Sequence, residues 1–115
     1  MINILENKEP LSQVIFIHDY IQLIFQEYIL SIYNPIEIYV ENKTITDGEM
    51  GFADALRNLI GNRVIKTNYK QNTSASFEFS NKVKICISLE QNDNLGPEAF
   101  QLNDSESQIL VEQNA

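Results

Sequence analysis

The chain has 115 residues, of which 16 are Asp or Glu and eight are Lys or Arg, so its net charge is −8 at pH 7. This length is typical of a single domain, here residues 1–115, that can bury a core of its own. The acidic charge disfavours DNA, RNA and anionic membranes as direct partners, because each of them is polyanionic, and it favours a basic protein.

The first half of the chain predicts β-strands. Runs of Ile, Val, Tyr and Phe that are typical of strands occupy residues 14–17, 20–25, 28–33 and 36–40. Asn34-Pro35 breaks the pattern between the last two runs. A helix over residues 18–32 is the alternative, since several apolar residues there also fit a helical spacing. The density of Ile, Tyr and Phe and the absence of Ala favour strands.

Residues 50–60 predict the main α-helix. Their apolar side chains have helical spacing and form one stripe that consists of Phe52, Leu56, Leu59 and Ile60. Asp47 is the predicted N-cap residue, and Glu49 adds negative charge near the positive helix end. Gly61 can adopt the left-handed conformation that ends a helix.

The second half predicts an antiparallel meander. Further strands are predicted at residues 63–69, 75–79, 83–89, 98–102 and 109–111. The alternation of Ala75, Phe77 and Phe79 with polar residues is typical of a half-buried strand. We therefore predict an α+β fold, a mostly antiparallel β-sheet curled into a sandwich or half-barrel, with one main α-helix. The polar ends, residues 1–10 and 105–115, are expected to fray.

Residues that carry out chemistry are scarce. His18 is the one histidine, and in a strand its neighbour Asp19 would point to the opposite face, so we interpret His18 as a hydrogen-bonded structural residue. Cys86 is the one cysteine, which excludes an internal disulfide and a cysteine-based metal site; it shares the polar face of its strand with Lys84 and Ser88. No phosphate-binding loop or nucleophile elbow is present. We predict that the protein is not an enzyme and has no catalytic residue, metal or cofactor.

Charge is distributed unevenly along the chain. Residues 85–115 hold six carboxylates and no Lys or Arg, whereas residues 51–84 are net basic. The candidate partner-binding residues in this acidic segment are Glu90, Asp93, Glu98, Phe100 and Asp104. Phe100 beside Glu98 would act as an aromatic anchor if it were exposed, although its apolar character favours burial in the core. A second acidic set, to be considered if the first does not bind, consists of Glu37, Glu41, Asp47 and Glu49. Alternatively, the negative charge of the chain serves only to keep the protein soluble.

Three segments carry a resemblance to a known group of proteins: VIFIHDYIQLIF at residues 14–25, ADALRNLIGNRVI at 53–65 and KICISLEQNDNLGPEAF at 84–100. The matching positions are Asp19-Tyr20-Ile21-Gln22-Leu23, Ala55-Leu56, Leu59-Ile60-Gly61, Ser88-Leu89, Asp93 and Gly96-Pro97-Glu98-Ala99. In these segments the chain resembles a set of small acidic bacterial proteins that look similar to immunity proteins of toxin–immunity pairs, notably those of contact-dependent growth inhibition.

The resemblance implies an inhibitor in the bacterial cytoplasm that binds one cognate toxin domain, often a basic nuclease, and blocks its active site. It places no partner-contacting residue on this chain. The acidic charge is compatible with it, because a nuclease presents a cationic groove to its polyanionic substrate. Direct binding to nucleic acid or membrane is not expected.

Two other hypotheses stay open at this point. The chain can be a stand-alone housekeeping domain that binds a small ligand or another protein, or an enzyme of unrecognised type. The N-terminal residues lack the basic and apolar regions of a secretory signal, so we expect a soluble cytoplasmic protein. The oligomeric state is left open by the sequence.

Overall fold

The computed structural model describes residues 1–114, which form ten antiparallel strands and one short α-helix. The strands are β1 (Leu11–Ile17), β2 (Tyr20–Phe25), β3 (Tyr28–Ile32), β4 (Ile36–Val40), β5 (Lys43–Thr46), β6 (Val64–Lys70), β7 (Ser74–Phe79), β8 (Lys84–Ser88), β9 (Glu98–Asp104) and β10 (Gln108–Gln113). The helix α1 (Phe52–Arg57) lies between β5 and β6, and short 3-10 helices occupy Ile2–Leu5 and Gln91–Asp93. No helix among the described residues is long and apolar enough to cross a bilayer.

The strands form two five-stranded sheets. The first has the order β1-β2-β3-β9-β10, and the second has the order β5-β4-β8-β7-β6. Buried side chains from both sheets belong to one apolar cluster, so the sheets pack face to face as a sandwich. The prediction of a mostly antiparallel fold with one main helix is therefore confirmed.

Alternation along each strand determines which side chains enter the core. Leu23, Leu30 and Leu102 are direct neighbours on three adjacent strands and are at most 1% exposed. Phe25 of the first sheet stacks on Phe79 of the second with ring centroids 6.4 Å apart. Such aromatic contacts between the two inner faces hold the layers together.

Residues 20–25 and 28–32 are strands, as predicted, and residues 18–32 do not form the alternative helix. β2 pairs with β3 from Ile21↔Ile32 to Ile24↔Ile29, and Gln26-Glu27 connects the two strands. His18 and Asp19 are not strand residues, because they form the turn between β1 and β2. The strand β5 was not predicted from the sequence.

The helix is shorter than predicted, but most of its apolar stripe is buried. Phe52 is 4% exposed, and Leu56 and Leu59 are fully buried. Ile60 is 43% exposed, so its predicted place in the core is wrong. Gly61 has φ +90°, the left-handed conformation predicted for the residue that follows the helix.

The start of the helix differs from the prediction. The residue at the N-cap position is Gly51, with φ +92°, and not Asp47. Glu49 instead turns back toward β5, where its carboxylate accepts hydrogen bonds from the backbone N–H and the hydroxyl of Thr46 at 2.6 and 2.7 Å. The acidic residues before the helix therefore shape the loop and leave Asp47 exposed.

The N-terminal residues, which we expected to fray, cover the edge of β6. Ile2 and Leu5 are 4% and 1% exposed and join the core. The Glu6 carboxylate accepts hydrogen bonds from the backbone N–H and the hydroxyl of Thr67 at 2.8 and 2.7 Å. These bonds occupy donors on an edge strand. At the other end of the chain, where fraying was also expected, residues 108–113 form β10.

Candidate partner-binding groove

A wide groove lies at one end of the sandwich. It has a volume of about 690 Å3 and is formed by the β1–β2 turn, the β3–β4 connection and residues 95–98. The chain passes from the first sheet to the second at Asn34-Pro35 and returns through the segment between β8 and β9. Both crossings meet the β1–β2 turn at this end, which is why several irregular segments converge here.

A buried amide pair fixes these segments to one another. Asn34 is 3% exposed, and its Nδ2 donates to the Ser88 carbonyl at 2.9 Å and to Asn114 Oδ1 at 2.8 Å. Asn114 Nδ2 donates to Asn34 Oδ1 at 3.1 Å and to the Gly96 carbonyl at 2.6 Å, and its backbone N–H donates to the Pro97 carbonyl at 2.9 Å. The C-terminal strand thus fastens one wall of the groove.

Large apolar side chains of the groove are open to solvent. Phe16 is 51% exposed, Ile17 is 38% exposed and Leu95 is 72% exposed. All three are uncharged residues that the fold does not bury, although most apolar residues of the chain lie in the core. Exposed apolar side chains grouped in a groove are typical of an interaction site.

Two tyrosines and a carboxylate lie together in this groove. The rings of Tyr20 and Tyr33 are 5.1 Å apart between centroids and tilted by 39°. Burial raises the pKa of the Tyr33 hydroxyl, and the negative charge of Glu98 raises it further. The ring faces are rich in π electrons and the Glu98 carboxylate lies beside them, so this corner favours a cationic group.

The groove continues into a second depression of about 540 Å3 on the outer face of the second sheet. Pro35, Ile36 and Asp47 line both. The carboxylates of the combined surface are Asp19, Glu37, Asp47, Glu90, Asp93 and Glu98. Within residues 1–114, neither depression is lined by Lys or Arg. We call this combined surface the acidic groove.

Three of the residues predicted to bind a partner, Glu90, Asp93 and Glu98, belong to the acidic groove. Asp93 accepts a hydrogen bond from the Ser88 hydroxyl at 2.6 Å, and Glu90 is exposed beside it. Phe100 does not belong to it, because its side chain is fully buried in the core. The prediction that Phe100 is an aromatic anchor is therefore wrong: strand alternation turns it inward.

Asp104 lies at the opposite end of β9 from Glu98. Six residues of extended strand separate the two, or about 20 Å. The Asp104 carboxylate accepts hydrogen bonds from the backbone N–H groups of Glu106 and Ser107 at 2.8 and 2.7 Å, and these bonds lower its pKa below the usual value. Asp104 therefore stabilises the β9–β10 turn and is separate from the acidic groove.

The sequence did not single out Phe16 or Leu95 as candidate site residues. Phe16 belongs to an apolar run whose pattern predicts burial in the core. Nothing in the sequence distinguishes Phe16 from apolar residues that are buried. Leu95 had a weak signal, as a lone apolar residue in a loop of Asn, Asp and Gly. Asp47 was named in the alternative acidic set, and the fold brings it to the same groove as Glu98.

His18 and Cys86 both line the acidic groove, His18 in the first depression and Cys86 in the second. The His18 side chain is 96% exposed in the β1–β2 turn, 3.6 Å from the Asp19 carboxylate, so the interpretation of a hydrogen-bonded structural histidine is wrong. Cys86 is half-buried on the outer face of the second sheet, as its strand pattern predicted. The described residues contain no group of three or more His, Cys, Asp or Glu placed to hold a metal.

No protein-family model, curated protein or solved structure matches this chain.

Proposed function

We propose that this protein is an immunity protein that acts in the bacterial cytoplasm, where it binds a cognate toxin and blocks its active site. The toxin domain is basic, and a nuclease fits this description best. The observation that carries the proposal is the acidic groove, where exposed apolar side chains lie among carboxylates and no Lys or Arg of residues 1–114 is a lining residue. The inhibitor works by binding alone, without turnover or cofactor.

Charge complementarity supports a basic partner. A nuclease domain needs Lys and Arg to hold a polyanionic substrate, and these side chains would face the carboxylates of the acidic groove. Long-range attraction accelerates the encounter of two oppositely charged proteins. The inhibitor would then occupy the surface that the substrate needs.

Short-range contacts would determine how long the complex lasts. Buried aromatic and apolar contacts near the centre of an interface supply most of its binding energy. Phe16 and Leu95 offer such contacts in the groove. An Arg or Lys of the toxin can lie over the rings of Tyr20 and Tyr33 and pair with Glu98.

Two of the segments on which the resemblance rests line the acidic groove, which is consistent with a binding role for them. Asp19-Tyr20 and Gly96-Pro97-Glu98 lie 75 or more positions apart in the sequence, yet both line the acidic groove. A motif can be shared between proteins only because its residues pack the core, and such a motif would indicate no binding function. Asp19, Gly96 and Pro97 are exposed, so core packing does not account for them.

A macromolecular partner fits this groove better than a small ligand does. Small-molecule sites enclose most of the ligand surface. Here Leu95 is 72% exposed and Phe16 is 51% exposed, so the apolar walls face outward. The housekeeping ligand-binding hypothesis is therefore less favoured than a protein interface.

The test compares two double variants with the same change in net charge. Asp47→Asn/Glu98→Gln neutralises two carboxylates of the acidic groove, whereas Glu27→Gln/Glu106→Gln neutralises two at the opposite end of the sandwich. Association with the basic toxin domain encoded beside this gene is followed by stopped flow. We expect the groove variant to associate about tenfold more slowly at low salt and the control variant to stay close to wild type.

Salt dependence gives the second readout. The Debye length falls from ~10 Å at 0.1 M to ~3 Å at 1 M salt, so the rate advantage of the wild type should shrink at high salt. Equal rates for both variants at 0.1 M salt would contradict a binding role for the acidic groove. If no neighbouring gene encodes a basic domain that this protein inhibits, the immunity function itself is wrong.

A further inference from the structure

Two tyrosines and a glutamate form one corner of the acidic groove, where the first sheet reaches it. Tyr20 and Tyr33 are neighbours on adjacent strands, because they lie one step beyond Ile21↔Ile32 in the register of β2 and β3. Their ring centroids are 5.1 Å apart, and the ring planes are tilted by 39°. Glu98 lines the same corner. We call Tyr20, Tyr33 and Glu98 the tyrosine corner.

Backbone hydrogen bonds hold the tyrosine corner in place. The Tyr33 N–H donates at 2.9 Å to the carbonyl of Ala99, the residue that follows Glu98. The carbonyl of Pro97, the residue before Glu98, accepts a bond of 2.9 Å from the Asn114 N–H. The backbone on both sides of Glu98 is therefore fixed, and one of the two bonds joins it to Tyr33. A site whose groups are already in position loses little conformational freedom when it binds.

The charge in the tyrosine corner has no counterpart within the described part of the chain. Tyr20, Tyr33 and Glu98 are all half-buried, so water and salt screen the carboxylate less than they would on an open surface. Burial raises the pKa of the Tyr33 hydroxyl, and the Glu98 charge raises it further, which shows that the carboxylate acts on this residue. In residues 1–114 Glu98 forms no ion pair, and neither ring has a Lys or Arg over its face.

The second sheet carries a similar group that includes its own cation. The Tyr39 hydroxyl donates to the Glu37 carboxylate at 3.0 Å, and Lys84 Nζ lies 4.9 Å from the centre of the Tyr39 ring. Ring, carboxylate and cation are thus all supplied by this chain. The tyrosine corner has the rings and the carboxylate, but residues 1–114 supply no cation to it. A partner protein can supply that cation.

The chemistry of the tyrosine corner favours arginine over lysine. A guanidinium group is planar, so it can stack on a tyrosine ring and at the same time donate two hydrogen bonds to a carboxylate. It is also weakly hydrated, whereas the lysine ammonium group is compact and holds its water strongly. Because the tyrosine corner is half-buried, its occupant must give up part of its hydration. A flat cation that loses water easily fits best.

We propose that the tyrosine corner is an arginine pocket, which takes one arginine side chain of the partner protein, stacked on Tyr20 or Tyr33 and paired with Glu98. The identity of the partner rests on the proposed function, in which it is the basic toxin domain. The preference for arginine rests on the geometry of the pocket. A seated arginine gives the complex a fixed short-range contact, and such contacts chiefly determine how slowly a complex dissociates.

Short peptides test the pocket without the toxin. The probes are acetyl-Gly-Arg-Gly-amide, the same peptide with lysine, and the same peptide with citrulline, which keeps the planar shape without the charge. NMR spectra of the isotope-labelled full chain follow the amides of Tyr20, Tyr33 and Glu98. We expect the arginine peptide to bind with a Kd of about 1–10 mM, the lysine peptide at least about threefold more weakly, and the citrulline peptide more weakly still. Nuclear Overhauser contacts should join the arginine side chain to the tyrosine rings.

Two pocket variants and two matched controls locate the binding. Glu98→Gln removes the carboxylate at nearly constant size, and Tyr20→Leu removes one ring. The controls are Glu106→Gln in the β9–β10 turn and Tyr69→Leu on β6, neither of which lines the acidic groove. Each pocket variant should weaken binding of the arginine peptide about fivefold or more, and each control should change it less than about twofold. Circular dichroism during thermal unfolding shows which variants are folded, and Glu98→Gln keeps the test decisive if Tyr20→Leu is not.

The peptide results separate a pocket from general attraction to an acidic protein. Equal binding of the arginine and lysine peptides, or equal losses in Glu98→Gln and Glu106→Gln, would overturn the arginine pocket and leave toxin inhibition untouched. If the arginine preference is found but the neighbouring gene encodes no domain that this protein inhibits, the pocket stands and the immunity function is wrong.

The toxin complex gives the last readout. Tyr20→Leu changes no charge, so it should leave the association rate with the toxin domain nearly unchanged and raise the dissociation rate about tenfold. Tyr69→Leu should leave both rates close to those of the wild type. A complex whose dissociation rate is the same in wild type and in folded Tyr20→Leu would show that no toxin arginine occupies the pocket, and would overturn the proposal.

Discussion

Replacing the buried Asn34 by alanine tests how the walls of the acidic groove are held. The side chain is 3% exposed and takes part in three hydrogen bonds, one with the Ser88 carbonyl and two with the Asn114 side chain. Asn34→Ala removes all three. At about 0.5–1.5 kcal/mol for each bond, the free energy of unfolding should fall by about 2–4 kcal/mol.

Urea denaturation followed by circular dichroism measures this loss. A domain with an unfolding free energy of about 5–15 kcal/mol remains folded after such a change, so the variant can be studied in its native state. Asn92→Ala, at an exposed position in the segment between β8 and β9, is the matched control and should change stability by less than about 0.5 kcal/mol. A loss for Asn34→Ala as small as that of the control would refute the reasoning.

Hydrogen exchange adds a local readout to the same experiment. Asn114 also bonds to the carbonyl groups of Gly96 and Pro97, so loosening its partner should weaken the order of this segment. We expect faster exchange of the Asn114 amide, which bonds to the Pro97 carbonyl, in Asn34→Ala than in the control variant, with little change in β7. Unchanged exchange at Asn114 would mean that the amide pair stabilises the fold without fastening the groove.

Three further predictions address the core, a titrating group and the proposed absence of catalysis. Leu56 is fully buried, so Leu56→Ala should lower the free energy of unfolding by roughly 2–5 kcal/mol. Ile60 is 43% exposed, so Ile60→Ala should lower it by less than about 1 kcal/mol. Equal losses in urea titrations would contradict the burial pattern. Hydrogen bonds from the Thr67 hydroxyl and backbone N–H lower the pKa of the Glu6 carboxyl below its usual 4.5. The ionised Glu6 carboxylate therefore stabilises the fold above pH 4.5, and this stabilisation is lost as the pH falls through the lowered pKa of the folded state. An NMR titration should show this lowered pKa, and Thr67→Val should raise it; a pKa that Thr67→Val leaves unchanged would argue against the hydroxyl contact. His18→Asn should preserve toxin neutralisation, and loss of protection with intact binding and stability would show that the protein acts by chemistry.

Local sequence patterns determined most of the secondary structure. The alternation of Ala75, Phe77 and Phe79 predicted β7 and its inward face, and all three residues are buried. Gly61 was predicted to end the helical segment in a left-handed conformation, and its φ is +90°. These predictions succeed because alternation and left-handed backbone depend on the residue and its near neighbours.

The ends of elements were less predictable, because tertiary contacts decide them. Leu59 and Ile60 are adjacent and equally apolar, yet Leu59 is fully buried and Ile60 is 43% exposed. Residues 1–10 look polar, but Ile2 and Leu5 enter the core because β6 offers an edge for them to cover. No pattern within these segments reveals the presence of that edge.

The candidate site depended most on tertiary structure. The sequence showed that residues 85–115 are acidic, and the predicted strand at 98–102 already separated Glu98 from Asp104, but it could not show which end of that strand faces a groove. Nor could it show that Asp47, distant in the chain, joins Glu98 in the groove. Phe16 and Phe100 both belong to apolar strand patterns, yet Phe16 is exposed and Phe100 is buried. The pairing of the strands and the packing of the two sheets decide this difference. The composition of a segment is local information, whereas the meeting of side chains across a sandwich depends on strand pairings that join distant parts of the chain.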